Sequence, residues 1–317
     1  MIAMLLVAAV AFIQLRAHLR ERDAESAYPP QGRFIEVEGT RIHARVMGEG
    51  PDLVLLHGAS GSMRDMDFRF AQSLAEDYRV ILFDRPGLGW SGRPPGYGGA
   101  FNTRSESPAL QARLLQQAAD RLGAGAPIVL GHSYGGAVAL AWALERPDRT
   151  AALVIVSGVS NPWPGGLGRY YEICRSLAGS ALAVPLLTAL VPKSVIAKSV
   201  AGIFAPQPVP EGYLAHFGPG MTLRRESLRA NAQQVGNLLG EIISMSRRYG
   251  TLSMPVEIVH GTADDTVPLD IHSEKLARQI PGANVVRLDG IGHMPHHSAP
   301  DAVRDAIARA ARRSYLR

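Results

Sequence analysis

The stretch Ala126-Pro127-Ile128-Val129-Leu130-Gly131-His132-Ser133-Tyr134-Gly135-Gly136-Ala137 decides the fold. Ile128 to Leu130 is a short apolar run that stops at Gly131, and good helix formers run from Ala137 to Glu145. The pattern predicts a strand, one sharp turn and a helix, with Ser133 at the tip of the turn inside Gly-x-Ser-x-Gly. A serine on so tight a turn is strained, and the strand and helix backbones pass close behind it. Glycines two residues to either side remove the Cβ atoms that would collide. The hydroxyl is pushed out at the top of a sheet. The helix N-terminus aims free N–H groups at any oxyanion formed there.

The strands around this turn set the architecture. Asp52-Leu53-Val54-Leu55-Leu56-His57 is a continuous apolar run of the kind buried on both faces of a parallel sheet. It leads into the loop Gly58-Ala59-Ser60-Gly61-Ser62. A helix is expected over about 68–76, a strand over Arg79–Phe83, a helix over about 107–122 and a strand over Ala151–Ser157. Short links between alternating strands and helices mean a mostly parallel, doubly wound α/β sheet. Ahead of it, Phe34–Val37 and Arg41–Val46, joined by Glu38-Gly39-Thr40, read as a hairpin. Gly87, Gly89 and Gly92 satisfy G-x-G-x-x-G after a strand, but Arg93-Pro94-Pro95-Gly96 cannot open a helix there. A dinucleotide site is therefore rejected, and Asp84 reads as a structural carboxylate.

From Gly158 to about Leu252 no strand is predicted. Helices are expected over Gly168–Leu177, Ala181–Leu190, Val195–Phe204 and Glu226–Arg248. This segment reads as a helical cap inserted over the sheet. Its apolar members include Leu182, Val184, Leu186, Leu187, Leu190, Ile196, Ile203 and Phe204, some of which must wall a pocket. The sheet resumes with Val256–Val259, a helix over Leu269–Gln279, the strand Asn284–Leu288 and a last helix from Pro300. The domains are thus 1–22, an N-terminal hydrophobic segment; 23–32, a linker; 33–157 and 253–317, the α/β core; and 158–252, the cap.

Met1 to Leu15 carries no charge, and Arg16, His18, Arg20 and Arg22 follow. Fifteen helical residues span roughly 22 Å, and a snorkelling Arg16 extends the apolar length. Positive charge follows the run instead of preceding it, and the next residues make a poor cleavage site. The reading is an uncleaved membrane anchor with the catalytic part on the cytoplasmic side. A cleaved or interfacial segment, leaving a secreted or soluble protein, is the competing reading.

The composition is 46% hydrophobic and 19% charged, which supplies a core and argues against disorder. The net charge of +5 comes from scattered arginines, among them Arg309, Arg312, Arg313 and Arg317, with no basic run interleaved with aromatics. Nucleic acid is therefore not a predicted partner. The single cysteine, Cys174, excludes an intrachain disulfide and a cysteine-based metal site.

A serine hydroxyl needs a base, and the base an orienting acid. Past the strand ending at His260 comes Gly261-Thr262-Ala263-Asp264-Asp265-Thr266-Val267-Pro268; past the last strand comes His293. Both follow C-terminal strand ends, where open α/β sheets place their sites. The chain order Ser, Asp, His accompanies a nucleophile elbow.

These residues resemble the α/β-hydrolase fold over about 33–315. The motifs are His57-Gly58, Asp84-Arg85-Pro86-Gly87-x-Gly89, Gly131-His132-Ser133-Tyr134-Gly135-Gly136, Gly261-x-x-Asp264-x-x-Val267-Pro268 and Gly292-His293. The resemblance implies Ser133 as nucleophile, His293 as base, Asp264 as acid, and the N–H groups of Ala59 and Tyr134 as oxyanion hole. By position Asp264 is preferred over Asp265. His57 takes a structural part and His132 packs at the elbow. His296 and His297 read as solvated loop histidines with no companion carboxylate, so no metal and no cofactor are expected. Haloalkane dehalogenases and epoxide hydrolases share the Asp-Arg-Pro-Gly loop but use aspartate at the elbow. Carbon–carbon bond hydrolases share the serine but usually carry a different loop after His-Gly and an asparagine before the serine. The implied activity is that of a serine hydrolase cleaving a carboxylic ester or lactone with an apolar moiety. Cofactor-free haloperoxidases acting as perhydrolases, carbon–carbon hydrolases and a ligand-binding protein on a hydrolase scaffold stand as alternatives.

Overall fold

The computed structural model describes residues 1–166 and 168–315; Leu167 and 316–317, and with them Arg317, lie outside the described residues. The chain opens with helix α1 (Ile2–Ala27), followed by strands β1 (Arg33–Val37), β2 (Thr40–Met47) and β3 (Asp52–Leu56). Helices α2 (Met63–Asp67) and α3 (Phe70–Leu74) lead to β4 (Arg79–Phe83). The helix expected over 68–76 is shorter, Phe70–Leu74, and an unexpected short helix, Met63–Asp67, precedes it; the backbone at Arg69 turns to a φ of +66° between the two. Ser62 caps the first by accepting from the Arg64 amide. Helix α4 (Pro108–Arg121) starts on Ser107, whose hydroxyl accepts from Leu110 N, with proline at the first position, where its missing N–H costs nothing. Strand β5 (Ile128–His132), helix α5 (Tyr134–Glu145) and β6 (Ala152–Val156) complete the first part of the core.

Among the described residues of 158–252 there is no strand. They form α6 (Arg169–Arg175), α7 (Leu177–Leu190), α8 (Lys193–Phe204), α9 (Tyr213–Phe217) and α10 (Arg225–Met245). The core then continues with β7 (Val256–Gly261), α11 (Ser273–Gln279), β8 (Asn284–Leu288), α12 (Pro295–Ser298) and α13 (Pro300–Tyr315). The eight strands lie in the order β1-β2-β4-β3-β5-β6-β7-β8, and only the β1–β2 and β2–β4 pairs are antiparallel.

The apolar strands are buried on both faces. Val54 and Leu56 point into the layer with Leu115, Val138 and Leu140, whereas Leu53 and Leu55 point into the layer with Met66, Phe70, Val303 and Ile307. Helix α5 is buried from Tyr134 to Leu144, so a helix apolar on every side lies directly under the elbow.

The stretch read as a linker, 23–32, begins inside α1, which runs on to Ala27. Tertiary contacts hold it helical. Ala17 and Ala24, on one face seven residues apart, are buried; a Cβ on Gly220 would lie 3.0 Å from that of Ala24, so the backbones approach closely. Glu21 bridges Arg225 at 2.6 Å, Glu25 bridges Arg224 at 2.9 Å, and Arg20 Nη2 donates to Val191 O at 2.9 Å. Residues 1–12 remain exposed, and α1 is long and apolar enough to cross a membrane.

Candidate active site

Ser133 occupies the turn between β5 and α5 with φ +54° and ψ −120°, a region costly for a residue with a Cβ. The turn is held from three sides: Ser133 N donates to Val156 O at 3.0 Å, and Ser133 O accepts from Gly136 N at 2.9 Å and Val159 N at 3.1 Å. The bracketing glycines carry out the steric task read from the sequence. A Cβ on Gly131 would run into the Gly135 carbonyl, one on Gly135 into the Leu56 carbonyl, and one on Gly136 would lie 2.8 Å from the Gly158 Cα.

Ser133 and His293 line one cavity of about 500 Å³ between sheet and cap. His293 Nδ1 lies 2.7 Å from Asp264 Oδ2. That carboxylate accepts only, so Nδ1 carries the hydrogen and Nε2 is left as the basic nitrogen. The other oxygen, Oδ1, accepts from Thr266 N and Val267 N, both at 2.9 Å. His260 Nε2, 3.1 Å from Oδ2, also faces Val267 O at 2.8 Å, so it too is a donor, while Ser273 Oγ donates to its Nδ1 at 2.6 Å. Burial pushes the Asp264 pKa up, but the hydrogen bonds from His260, His293 and the Val267 amide reverse this and hold the carboxyl far below its ordinary value. Asp265 is exposed and turned away.

The loop after β3 is clamped from below and above. Arg85, fully buried, donates to His57 O and Gly58 O at 2.9 Å each, to Gln111 Oε1 at 2.8 Å and to Gln234 Oε1 at 3.0 Å. Its guanidinium stands 4.3 Å over the Tyr134 ring. Burial lowers its pKa only to about 10, so it stays charged at neutral pH. From the cap, Asn231 Oδ1 accepts from Ser60 N at 2.6 Å and Thr222 Oγ1 donates to Ser60 O at 2.8 Å. Between these clamps the amides of Ala59 and Tyr134 have no acceptor among the described residues. His57 is neutral, its pKa pushed down to about 4 by burial and then by Arg85; Nδ1 donates to Gly58 O and Nε2 accepts from Arg85 N. Asp84 is structural. It accepts from Met63 N, Trp90 N and His43 Nδ1 at 2.7, 2.8 and 2.7 Å, fixing the glycine-rich loop.

His132 does more than pack. Its Nε2 donates to the His293 carbonyl at 2.9 Å, so the elbow holds the histidine loop directly. Burial, followed by the neighbouring His296 and His293, keeps its pKa well below the ordinary value and the ring neutral. On the other side Gln207 of the cap donates to Gly290 O at 2.8 Å and accepts from Gly292 N at 2.9 Å, bracketing His293.

His296 and His297, expected as solvated, have buried side chains, and they do have a carboxylate. Asp65 Oδ1 accepts from Tyr213 Oη at 2.7 Å and His297 Nε2 at 2.9 Å, and Oδ2 lies 3.2 Å from His296 Nε2. Asp65 lies more than two hundred positions upstream, in helix α2, so no local spacing announces the pairing. Ligand atoms of Asp65, His132 and His296 lie within 4.8 Å of one another, the one group among the described residues with metal-binding chemistry. The hydrogen bonds just described already engage the Asp65 oxygens and one nitrogen of each imidazole.

The cavity walls are apolar, with Leu187, Ile196, Val200, Ile203 and Phe204 from the cap. Leu182, Leu186 and Leu190 instead face outward, and Val184 packs in the cap's own core. No lysine or arginine is among the described lining residues; Asp65 is their sole carboxylate.

The profile of the alpha/beta hydrolase family matches residues 53–306. A 2-hydroxy-6-oxononadienedioate/2-hydroxy-6-oxononatrienedioate hydrolase of Klebsiella pneumoniae is 30% identical over 305 residues, 89% of this chain and 97% of that protein. The structure of an alpha/beta hydrolase fold protein from Burkholderia ambifaria aligns with a TM-score of 0.71 at 26% identity, over 88% of this chain and 97% of the other. That of an esterase from Rhodococcus aligns with a TM-score of 0.65 at 23% identity, over 88% and 97%. With the eight-stranded sheet, the serine elbow and the family match covering most of its length, this chain belongs to the alpha/beta hydrolase family.

Proposed function

We propose that this hydrolase cleaves carboxylic esters bearing an apolar acyl or alkyl group, through an acyl-enzyme on Ser133. The observation that carries the reading is the elbow serine sharing one cavity with His293, whose Nδ1 is held at 2.7 Å by Asp264. His293 Nε2 takes the Ser133 proton as Oγ attacks the ester carbonyl. Asp264 holds the tautomer and offsets the charge of the imidazolium. The unengaged Ala59 and Tyr134 amides receive the oxyanion, each worth about 3 kcal/mol. His293 passes its proton to the leaving alcohol, then activates water against the acyl-enzyme.

Relatives that hydrolyse carbon–carbon bonds suggest a second reading. The substrate named for the Klebsiella relative is a dicarboxylate, and such anions need cationic partners. The described lining residues offer none and add the Asp65 carboxylate, which disfavours them. The apolar walls favour an uncharged chain. The basic flank of α1 supports a membrane-anchored enzyme with its catalytic part on the cytoplasmic side.

Ser133→Ala is expected to abolish p-nitrophenyl butyrate hydrolysis while leaving the melting temperature within about a degree of the parent, since one hydroxyl is removed at a site that keeps its backbone bonds. A variant that still turned over the ester, or a native enzyme unlabelled by a fluorophosphonate, would refute the assignment. Recovery of the protein in the soluble fraction without carbonate or detergent would refute the anchor.

A further inference from the structure

We infer that the outer face of the cap is a docking surface for a lipid bilayer, and that the cavity takes the acyl chain of a membrane amphiphile through it. The inference rests on Ser133 hydrolysing acyl esters, and it adds where the ester comes from.

Helix α7 has no charged residue in fourteen positions, yet it is only half buried. Leu182, Leu186 and Leu190, spaced by four, form one outward ridge with exposures of 65, 45 and 50%. A helix facing water places polar residues on such a face, and isolated exposed leucines are common but an ordered row is not. The next helix, α8, borders the cavity. Val195, Ser199 and Ile203 of α8, again spaced by four, both line the cavity and stand exposed. Val195 and Ile203 therefore give its mouth an apolar rim.

The occupant is indicated by α1. This helix packs along α7, and Arg20 is tied to Val191 O at the α7 end, beside the mouth. The uncharged run Ile2–Leu15 precedes this contact and Arg16, Arg20 and Arg22 flank it. The level at which α1 passes from hydrocarbon to headgroup is thus the level of Leu190 and Val195. Exposed Lys193 and Lys198 on α8 add positive charge suited to anionic headgroups. The anchor gives residence at the membrane; the ridge turns the mouth toward it. A chain leaving the bilayer passes from one apolar medium to another and crosses no water.

The test uses the full-length protein reconstituted into vesicles of phosphatidylcholine and phosphatidylglycerol. The triple variant Leu182→Glu, Leu186→Glu, Leu190→Glu changes residues outside the cavity lining. Hydrolysis of a fluorogenic long-chain acyl ester embedded in the vesicles is expected to fall roughly tenfold or more, because three charges oppose interfacial seating. Hydrolysis of soluble p-nitrophenyl butyrate in detergent is expected to hold. Equal rates for variant and parent on the vesicle ester would overturn the inference, as would a parallel loss on both esters at unchanged melting temperature. Dissociation of a detergent-extracted oligomer with the vesicle rate intact would also overturn it, since the ridge would then pair two copies. If the glutamates lower the melting temperature, glutamine at the same three positions is read in the same way. A fluorophore on Leu186→Cys in the Ser133→Ala chain is expected to be quenched by brominated-acyl lipids. An unquenched label overturns docking independently of any hydrolysis.

Discussion

At the scale of residues, the site depends on tautomers that neighbours fix. Asp264 is held as a carboxylate by four donors, two of them backbone amides and two imidazoles. Asp264→Asn keeps the shape but offers His293 Nδ1 a donor in place of an acceptor, or forces the amide to rotate. It is expected to lower kcat by about 10⁴ with little change in KM, read by ester hydrolysis at saturating substrate. A kcat within tenfold of the parent would remove Asp264 from the acid role. Ser133, Asp264 and His293 stand out in the sequence because each follows a strand end closely, with a glycine within three positions. His296 and His297 were misread and Asp65 was not singled out, because their pairing joins two short helices more than two hundred residues apart.

At the scale of elements, the elbow works because strand and helix approach closer than a Cβ allows. Gly135→Ala would press a methyl group against the Leu56 carbonyl, which sits at the start of the loop carrying Ala59. Destabilisation of more than about 3 kcal/mol is expected, measured by urea unfolding, with a further loss of activity in what remains folded. An alanine variant of native stability would mean that the turn is looser than described. The histidine loop is pinned by His132 below and Gln207 above. The positions of the longer helices followed from periodicity, whereas the short helices α2, α9 and α12 did not. Nor did the joints: the break at Arg69 and the extension of α1 into the expected linker, as far as Ala27, come from tertiary contacts that no local propensity encodes.

At the scale of the whole molecule, buried histidines make stability depend on pH. His57, His272 and His296 are each pushed down to about 4, first of all by burial. In the unfolded chain their pKa is about 6.5. Between those values the unfolded state binds protons that the native state refuses, so stability falls as the pH falls. Each group contributes a slope of about 1.4 kcal/mol per pH unit in that window. Asp65, Asp84 and Asp264 have lowered pKa values, so their contribution is intact above about 4 and is lost only as the pH falls further. The melting temperature is therefore expected to be level from about pH 7 to 8 and to fall steadily from pH 6.5 toward 4. A level profile across that acid range in calorimetry would show that these imidazoles are not held neutral.

The sequence by itself determined the order of strands and helices, the elbow, the candidate base and acid, and the uncharged N-terminal run. Each is a local pattern: an apolar period, a glycine bracket, or a polar residue just past a strand. Only the tertiary structure decided the rest. It placed Arg85 under the loop of Ala59, His260 behind Asp264, Gln207 over His293, and Asp65 between two histidines and Tyr213. It also separated the cap leucines into those that wall the cavity and those that face outward. Apolar period tells how much of a helix is greasy, but which side meets a cavity, a neighbouring helix or the outside is set by packing between segments far apart in the chain.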